Sequence, residues 1–261
     1  MKEIIEGLNL PKQILDKAEK LMSTLFGPSA KEIGELMADK IRYKRMVNQV
    51  SIFKKTADLL EKNNLEAKEL KLKTLVPLIE SSSLEEDEKL QDKWANLIAN
   101  ISSNPENGLE PKLVKTLSNL SALEAQVLDY IHEAFLRNLT KEYELKKDWK
   151  WMKLESEKDI RLNMVIIRFE GIQKKFNLET KFTQICIDNL DSLGLIKYEE
   201  PEIEIENNSG DPQFLENQKT GERKIDFDLD VNASVYQSDN FHLTTYGKYF
   251  IEQCKEVKNA M

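Results

Sequence analysis

Histidine and cysteine are scarce in this chain: His132, His242, Cys186 and Cys254 are all it has. Two histidines leave almost no material for a histidine-based metal site or catalytic triad, so both read as structural or surface residues. The cysteines lie far apart within apolar helical patterns, which argues against a disulfide framework and for core thiols in a reducing, cytoplasmic setting. With 9 Gly and 7 Pro in 261 residues, collagen-like and low-complexity classes are excluded. No apolar run approaches the roughly 18 residues of a membrane span. Acids in Met1-Lys2-Glu3-Ile4-Ile5-Glu6 stand where a secretory signal needs a basic start. Positive charge is also in deficit, 38 Lys and Arg against 46 Asp and Glu for a net −8. That excludes a globally basic nucleic-acid coat and confines any cationic site to a patch. Gly-x-x-x-x-Gly-Lys, His-Glu-x-x-His, Gly-x-Ser-x-Gly and paired Cys-x-x-Cys are all missing. No cofactor, metal or catalytic residue is expected.

What is present is helical periodicity. Ile14, Leu15, Ala18, Leu21, Met22 and Leu25 recur at three- and four-residue steps and predict a helix over 12–26, stopped by Gly27-Pro28. Ser29 and Glu32 form a capping box, and the stripe from Ile33 through Phe53 to Leu60 predicts one long helix ending near Asn63. Its polar side is the most basic stretch of the protein, with Arg42, Lys44, Arg45, Lys54 and Lys55. A third helix is expected over 70–80, bent or ended by Pro77. Ser83 and Glu86 then cap a fourth that holds Leu84, Leu90, Trp94, Leu97, Ile98 and Ile101 on one side. The loop Asn104-Pro105-Glu106-Asn107-Gly108 marks a candidate boundary.

Beyond Leu113 the character changes. Ser121-Ala122-Leu123-Glu124 opens a helix with Val127, Leu128, Ile131 and Phe135 inward, and the charged stretch Thr140–Lys158 is ambiguous. A helix over 160–176 meets a turn at Asn177, followed by a helix with Phe182, Ile185, Cys186, Leu190 and Leu193 inward that stops at Gly194. The period then switches to two. Ile203 and Ile205 alternate with glutamates, and Ile225, Phe227, Leu229 and Val231 with Asp226, Asp228 and Asp230, so two strands are expected to pair across a long tip. Thr244 caps a last helix. The expected fold class is mainly α with a small β-hairpin as its only sheet, divided into an N-terminal helical domain over 1–112 and a second domain over 113–261.

The order helix, helix, turn, helix ending in Asp191-Ser192-Leu193-Gly194-Leu195-Ile196, then hairpin, then Leu243-Thr244-Thr245-Tyr246-Gly247, resembles a winged helix-turn-helix domain over about 119–255. The N-terminal half resembles the Abi-alpha family of bacterial proteins, named for abortive infection and associated with phage defence. Its matching residues are Gly27-Pro28-Ser29-Ala30-Lys31-Glu32-Ile33-Gly34, Ile41-Arg42-Tyr43-Lys44-Arg45, Pro77-Leu78-Ile79-Glu80, Ser83-Leu84-Glu85-Glu86-Asp87 and, most specifically, Leu90-Gln91-Asp92-Lys93-Trp94-Ala95-Asn96-Leu97-Ile98-Ala99-Asn100. This resemblance covers about 25–128 and implies a defence context without a mechanism.

Two readings of the winged module compete. A duplex-binding regulator would read bases with Lys181, Gln184 and Asn189 on the second helix of the motif. Against it, the wing around 198–231 is acidic: between Glu199 and Asp230 eleven carboxylates oppose only Lys219, Arg223 and Lys224, a deficit equal to the whole chain's net charge. Asp211 with Glu222-Arg223-Lys224 has the spacing of a magnesium nuclease strand but lacks a preceding buried strand. Asp226, Asp228 and Asp230 lack the glycine and terminal glutamate of a calcium loop. The sequence therefore favours a non-enzymatic cytoplasmic phage-defence or interaction protein, with a transcriptional regulator next and a nuclease a distant third. Its partner would be another protein or a second copy, and no small-molecule substrate is identifiable. Arg42, Lys44, Arg45, Lys54 and Lys55 are the candidate interaction surface: either a solvated helix face or a handle for acidic groups, including the chain's own wing in a neighbouring subunit.

Overall fold

The computed structural model describes residues 12–26, 43–104, 108–149, 154–207, 213–216, 223–226, 231–236 and 239–257, and for the strands between 202 and 236 it describes the backbone alone. Helix α1 spans Lys12–Phe26, at the bounds its periodicity predicts. Helix α2, Tyr43–Lys62, is the described part of the long helix, whose expected start at Ser29 lies outside the described residues. Helix α3, Leu72–Ser82, carries Pro77 without ending there. Helix α4, Glu88–Ser103, follows. Its cap differs from expectation: Asp87 accepts from Leu90 N at 3.0 Å, while Ser83 Oγ donates to Glu80 O at 3.0 Å and so serves the end of α3. A carboxylate at the cap accepts an N–H more strongly than a hydroxyl does, and it meets the positive end of the helix dipole. The start therefore shifts, and Leu84 falls in the connection, 63% exposed rather than packed inward.

Helix α5, Glu110–Ser118, has Pro111 in its first turn and was not foreseen. Helix α6, Ala122–Lys146, opens on the expected capping box, Glu124 N donating to Ser121 Oγ at 3.2 Å and Ser121 N to Glu124 Oε2 at 2.7 Å. It runs on through the first part of the ambiguous charged stretch. The helix expected over 160–176 is a correction: a short 3-10 turn at Leu162–Met164 leads into strand β1, Ile166–Arg168, and only Phe169–Phe176 is helical, as α7. The run Val165-Ile166-Ile167 is β-branched throughout, which disfavours helix, and Val165 and Ile167 are buried in the extended form. Asn177 adopts φ 50° in the turn, and helix α8, Thr180–Ser192, ends before Gly194 at φ 72°.

Strand β2, Ile196–Tyr198, and strand β7, Asn240–Leu243, complete a three-stranded antiparallel sheet in the order β1-β7-β2. Between them β3, Glu202–Asn207, pairs with β6, Val231–Tyr236, and β4, Gln213–Glu216, pairs with β5, Arg223–Asp226. The hairpin is thus not the only sheet, and the expected partnership of Ile203–Ile205 with Ile225–Val231 is replaced: Ile203 faces Val235, and Ile225 faces Phe214. Two-residue alternation marks a strand but does not choose its partner. Helix α9, Thr245–Lys255, closes the described fold.

The core runs through both halves. Trp94 is 1% exposed, and Leu97, Ile98 and Ile101 are buried with it on α4, against Phe53 of α2, Phe135 of α6, and Phe250 and Ile251 of α9. Replacing Trp94 with Ala is predicted to cost about 3 to 5 kcal/mol in denaturant unfolding, because it empties a large, fully enclosed volume of the core. A second prediction reverses an ordinary rule. Thr244 Oγ1 accepts from Gly247 N at 2.8 Å and itself contacts Gly194 O at 2.6 Å, clamping the first turn of α9 onto the β2 entry. A Cβ on Gly247 would overlap Leu195 O and stand 2.7 Å from Leu195 C. Gly247→Ala should therefore destabilise by about 3 kcal/mol instead of gaining the roughly 1 kcal/mol Ala brings to an open helix site. Equilibrium unfolding of the variant checks the sign.

Candidate functional site

The basic strip of α2 is engaged by its own neighbours. Lys44 Nζ lies 2.5 Å from Glu86 and Lys55 Nζ 2.6 Å from Asp92. Arg45 donates from Nε and Nη2 to Ser83 Oγ at 3.1 and 3.0 Å, and from Nη2 to Glu80 O at 3.4 Å. Lys54 is half-buried on the same helix, and Arg42 lies outside the described residues. Arg45 thus fastens α2 to the last turn of α3, where the carbonyls left without helical partners attract a guanidinium. Its reversal would break fold contacts as well as surface charge.

Of the three candidate base readers on α8, Lys181 is exposed and alone makes no side-chain bond among the described residues. Gln184 Nε2 donates to Asp188 Oδ1 at 2.8 Å and to Tyr198 Oη at 2.7 Å, and the Tyr198 hydroxyl donates to Asp188 Oδ1 at 2.9 Å. Burial and the Asp188 carboxylate together hold the Tyr198 phenol above its usual range. Asn189 Nδ2 donates to Glu124 Oε1 at 2.8 Å and so ties α8 to the capping box of α6. The side chains expected inward on α8 divide: Cys186 and Leu190 are buried, but Phe182 is 56% and Ile185 52% exposed. These two, three residues apart, form an outward apolar pair beside Lys181.

A cleft of about 730 Å³ lies between α6, β1 and the β2–β7 end of the sheet. Sequence reasoning missed it. Tyr130, Ala134, Arg137, Lys141 and Leu145 line one wall at helical spacing, and Arg168 of β1 faces them. Asn138 Nδ2 donates to Ile166 O at 2.8 Å, fixing the edge strand to α6. The spacing along α6 was readable, but Arg168 belonged to a stretch expected to be helix. Residues Asp211, Glu222, Asp228 and Asp230 of the acidic motifs lie outside the described residues, as do the side chains of Lys224 and Asp226.

Both histidines sit where burial pushes them below their usual pKa. His132 on α6 also feels Lys255 and Lys248, offset by Glu252 and Asp129; His242 on β7 feels Lys197, offset by Glu199. Nδ1 of each is buried without a partner among the described residues. The unfolded chain then binds more protons than the folded one once pH falls below about 6.5, so stability drops as pH falls. His132→Asn with His242→Asn should flatten the slope of unfolding free energy between pH 7 and pH 5 relative to the natural chain, as urea titrations at several pH values will show. An equal slope would assign the acid sensitivity to carboxylates alone.

No helix among the described residues is long and apolar enough to cross a membrane. Neither the curated proteins nor the solved structures gave a match to this chain. A family model described as Abortive infection alpha matches residues 39–254. The match begins after the Gly27–Gly34 motif and continues well past Leu128, so it takes in the sheet and α8 as well as the Trp94 helix. Covering most of the sequence from the basic strip to Cys254, it establishes that the chain belongs to the Abortive infection alpha family.

Proposed function

We propose that the chain acts in abortive infection of phage-infected bacteria as a cytoplasmic binding protein without catalytic activity, and that its C-terminal part is a winged helix-turn-helix-like module that docks another protein. Family membership supports the defence setting. The succession α6, α7, α8, β2, the β3–β6 arm, β7 and α9, with β1 beside β7, supports the winged reading. The outward face of α8 carries the choice of partner. A helix that reads a duplex offers uncommitted donors flanked by cations. Here Gln184 and Asn189 are committed to Tyr198 and Glu124, and the face left open presents Phe182 and Ile185. Exposed paired apolar side chains suit burial against a protein surface. The acidic wing sequence adds repulsion toward phosphate.

The decisive variant is Phe182→Asp with Ile185→Asp. Both positions are exposed, so the thermal midpoint should stay close to that of the natural chain. Protection of bacteria against phage should be lost. Duplex DNA titrations at physiological salt should show nothing beyond weak, sequence-independent binding for either protein. Sub-micromolar, sequence-selective binding that the double substitution abolishes would install the regulator reading instead.

A further inference from the structure

The cleft between α6 and β1 brings together three cations that form no ion pair with any described carboxylate: Arg137, Lys141 and Arg168. Lys17, Lys44, Lys55 and Lys93 by contrast each sit on a carboxylate, in a chain of net charge −8. Of the two acids in the lining, Glu142 is held by Lys146 at 2.6 Å, and Glu199 follows β2, where its N–H donates to Asn240 O at 3.1 Å. The cleft is not merely charged. Its walls include the ring of Tyr130, kept edge-on to Phe176 at 6.0 Å with the Arg137 guanidinium 5.8 Å from its centroid, and the apolar side chains of Ala134, Leu145 and Ile166. Gly171 lets α7 approach that ring, since a Cβ there would stand 3.0 Å from Tyr130 Oη.

We propose that this cleft binds a phosphorylated small molecule of nucleotide size, its phosphates drawn by Arg137, Lys141 and Arg168 and its planar or apolar part lying against Tyr130 and the apolar wall. Two guanidiniums supply planar forks that match phosphate oxygens bidentately, and the lysine adds a compact charge. A volume of about 730 Å³ accommodates a mononucleotide. The aromatic and apolar lining distinguishes the site from one for a bare anion, which would leave that wall solvated. The site lies on α6 and β1, not on the outward face of α8, so it stands or falls independently of the docking reading.

Calorimetric titration of the full chain with ADP and, separately, with inorganic pyrophosphate tests it. ADP should bind at least tenfold more tightly than pyrophosphate. Arg168→Glu and Lys141→Glu should each weaken ADP binding at least tenfold, while Lys115→Glu, an exposed lysine outside the lining, leaves it unchanged. Thermal melts of the free proteins confirm that the reversals fold. Absence of ADP binding up to millimolar concentration, affinity indifferent to both reversals, or equal affinity for ADP and pyrophosphate would each overturn the proposal.

Discussion

Helix α4 is encircled by α2, α5, α6 and α9, and this encirclement sets what the rest of the chain can do. Its apolar residues Leu90, Trp94, Leu97, Ile98 and Ile101 are buried, and its buried polar residues Gln91, Asn100 and Ser102 must be satisfied by neighbours rather than by water. Asn100 Nδ2 donates to Gln253 O and Glu256 O, both at 2.8 Å, completing the carbonyl end of α9. Lys93 meets Asp129 of α6 at 2.6 Å. Beside them Cys254 is wholly enclosed, and burial pushes its thiol up to about 12. The N-terminal helices and the C-terminal helix therefore share one interior. Seating α9 on α4 in turn fixes β7, hence β1 and β2, and through them the outward face of α8 and the cleft beside α6.

What was legible in the sequence was local. The bounds of α1, the Ser121–Glu124 box, the left-handed Gly194 and the Thr244 cap all depend on residues within a turn of each other, and each is found where the spacing puts it. Side-chain period also found the buried face of α4. Misreadings arose where distant partners decide. Val165–Ile167 extends because β7 offers a ladder, with Ile167 opposite Phe241. Phe182 and Ile185 have the spacing of a core stripe, yet the interior already receives Cys186, Ile187 and Leu190 from α8. The strand partners of 202–236 follow from register, which alternation leaves open. The same limit hid the cleft, because its two walls come from segments some thirty residues apart.

Charge is distributed with the same economy. Three cations of the basic strip also join α2 to its neighbours, Lys44 meeting Glu86, Arg45 Ser83 and Lys55 Asp92. Such exposed pairs contribute little individually, but Arg45 also satisfies a helix-terminal carbonyl, Glu80 O, and that geometry gives it a structural role. Three further cations, Arg137, Lys141 and Arg168, line one cleft without a described carboxylate paired to any of them. A member of the Abortive infection alpha family thus presents two distinct outward features, an apolar pair on α8 and a cationic cleft on α6, on a frame that holds them at fixed positions.

That frame is the central claim, and native-state hydrogen exchange measured through a denaturant series tests it most directly. Amides of α4 and of α9 should open with the same free energy and the same denaturant dependence, because each buries the other's contacts. Opening of α9 at clearly lower free energy, with α4 still protected, would contradict the account and show the C-terminal helix resting on a core that stands without it.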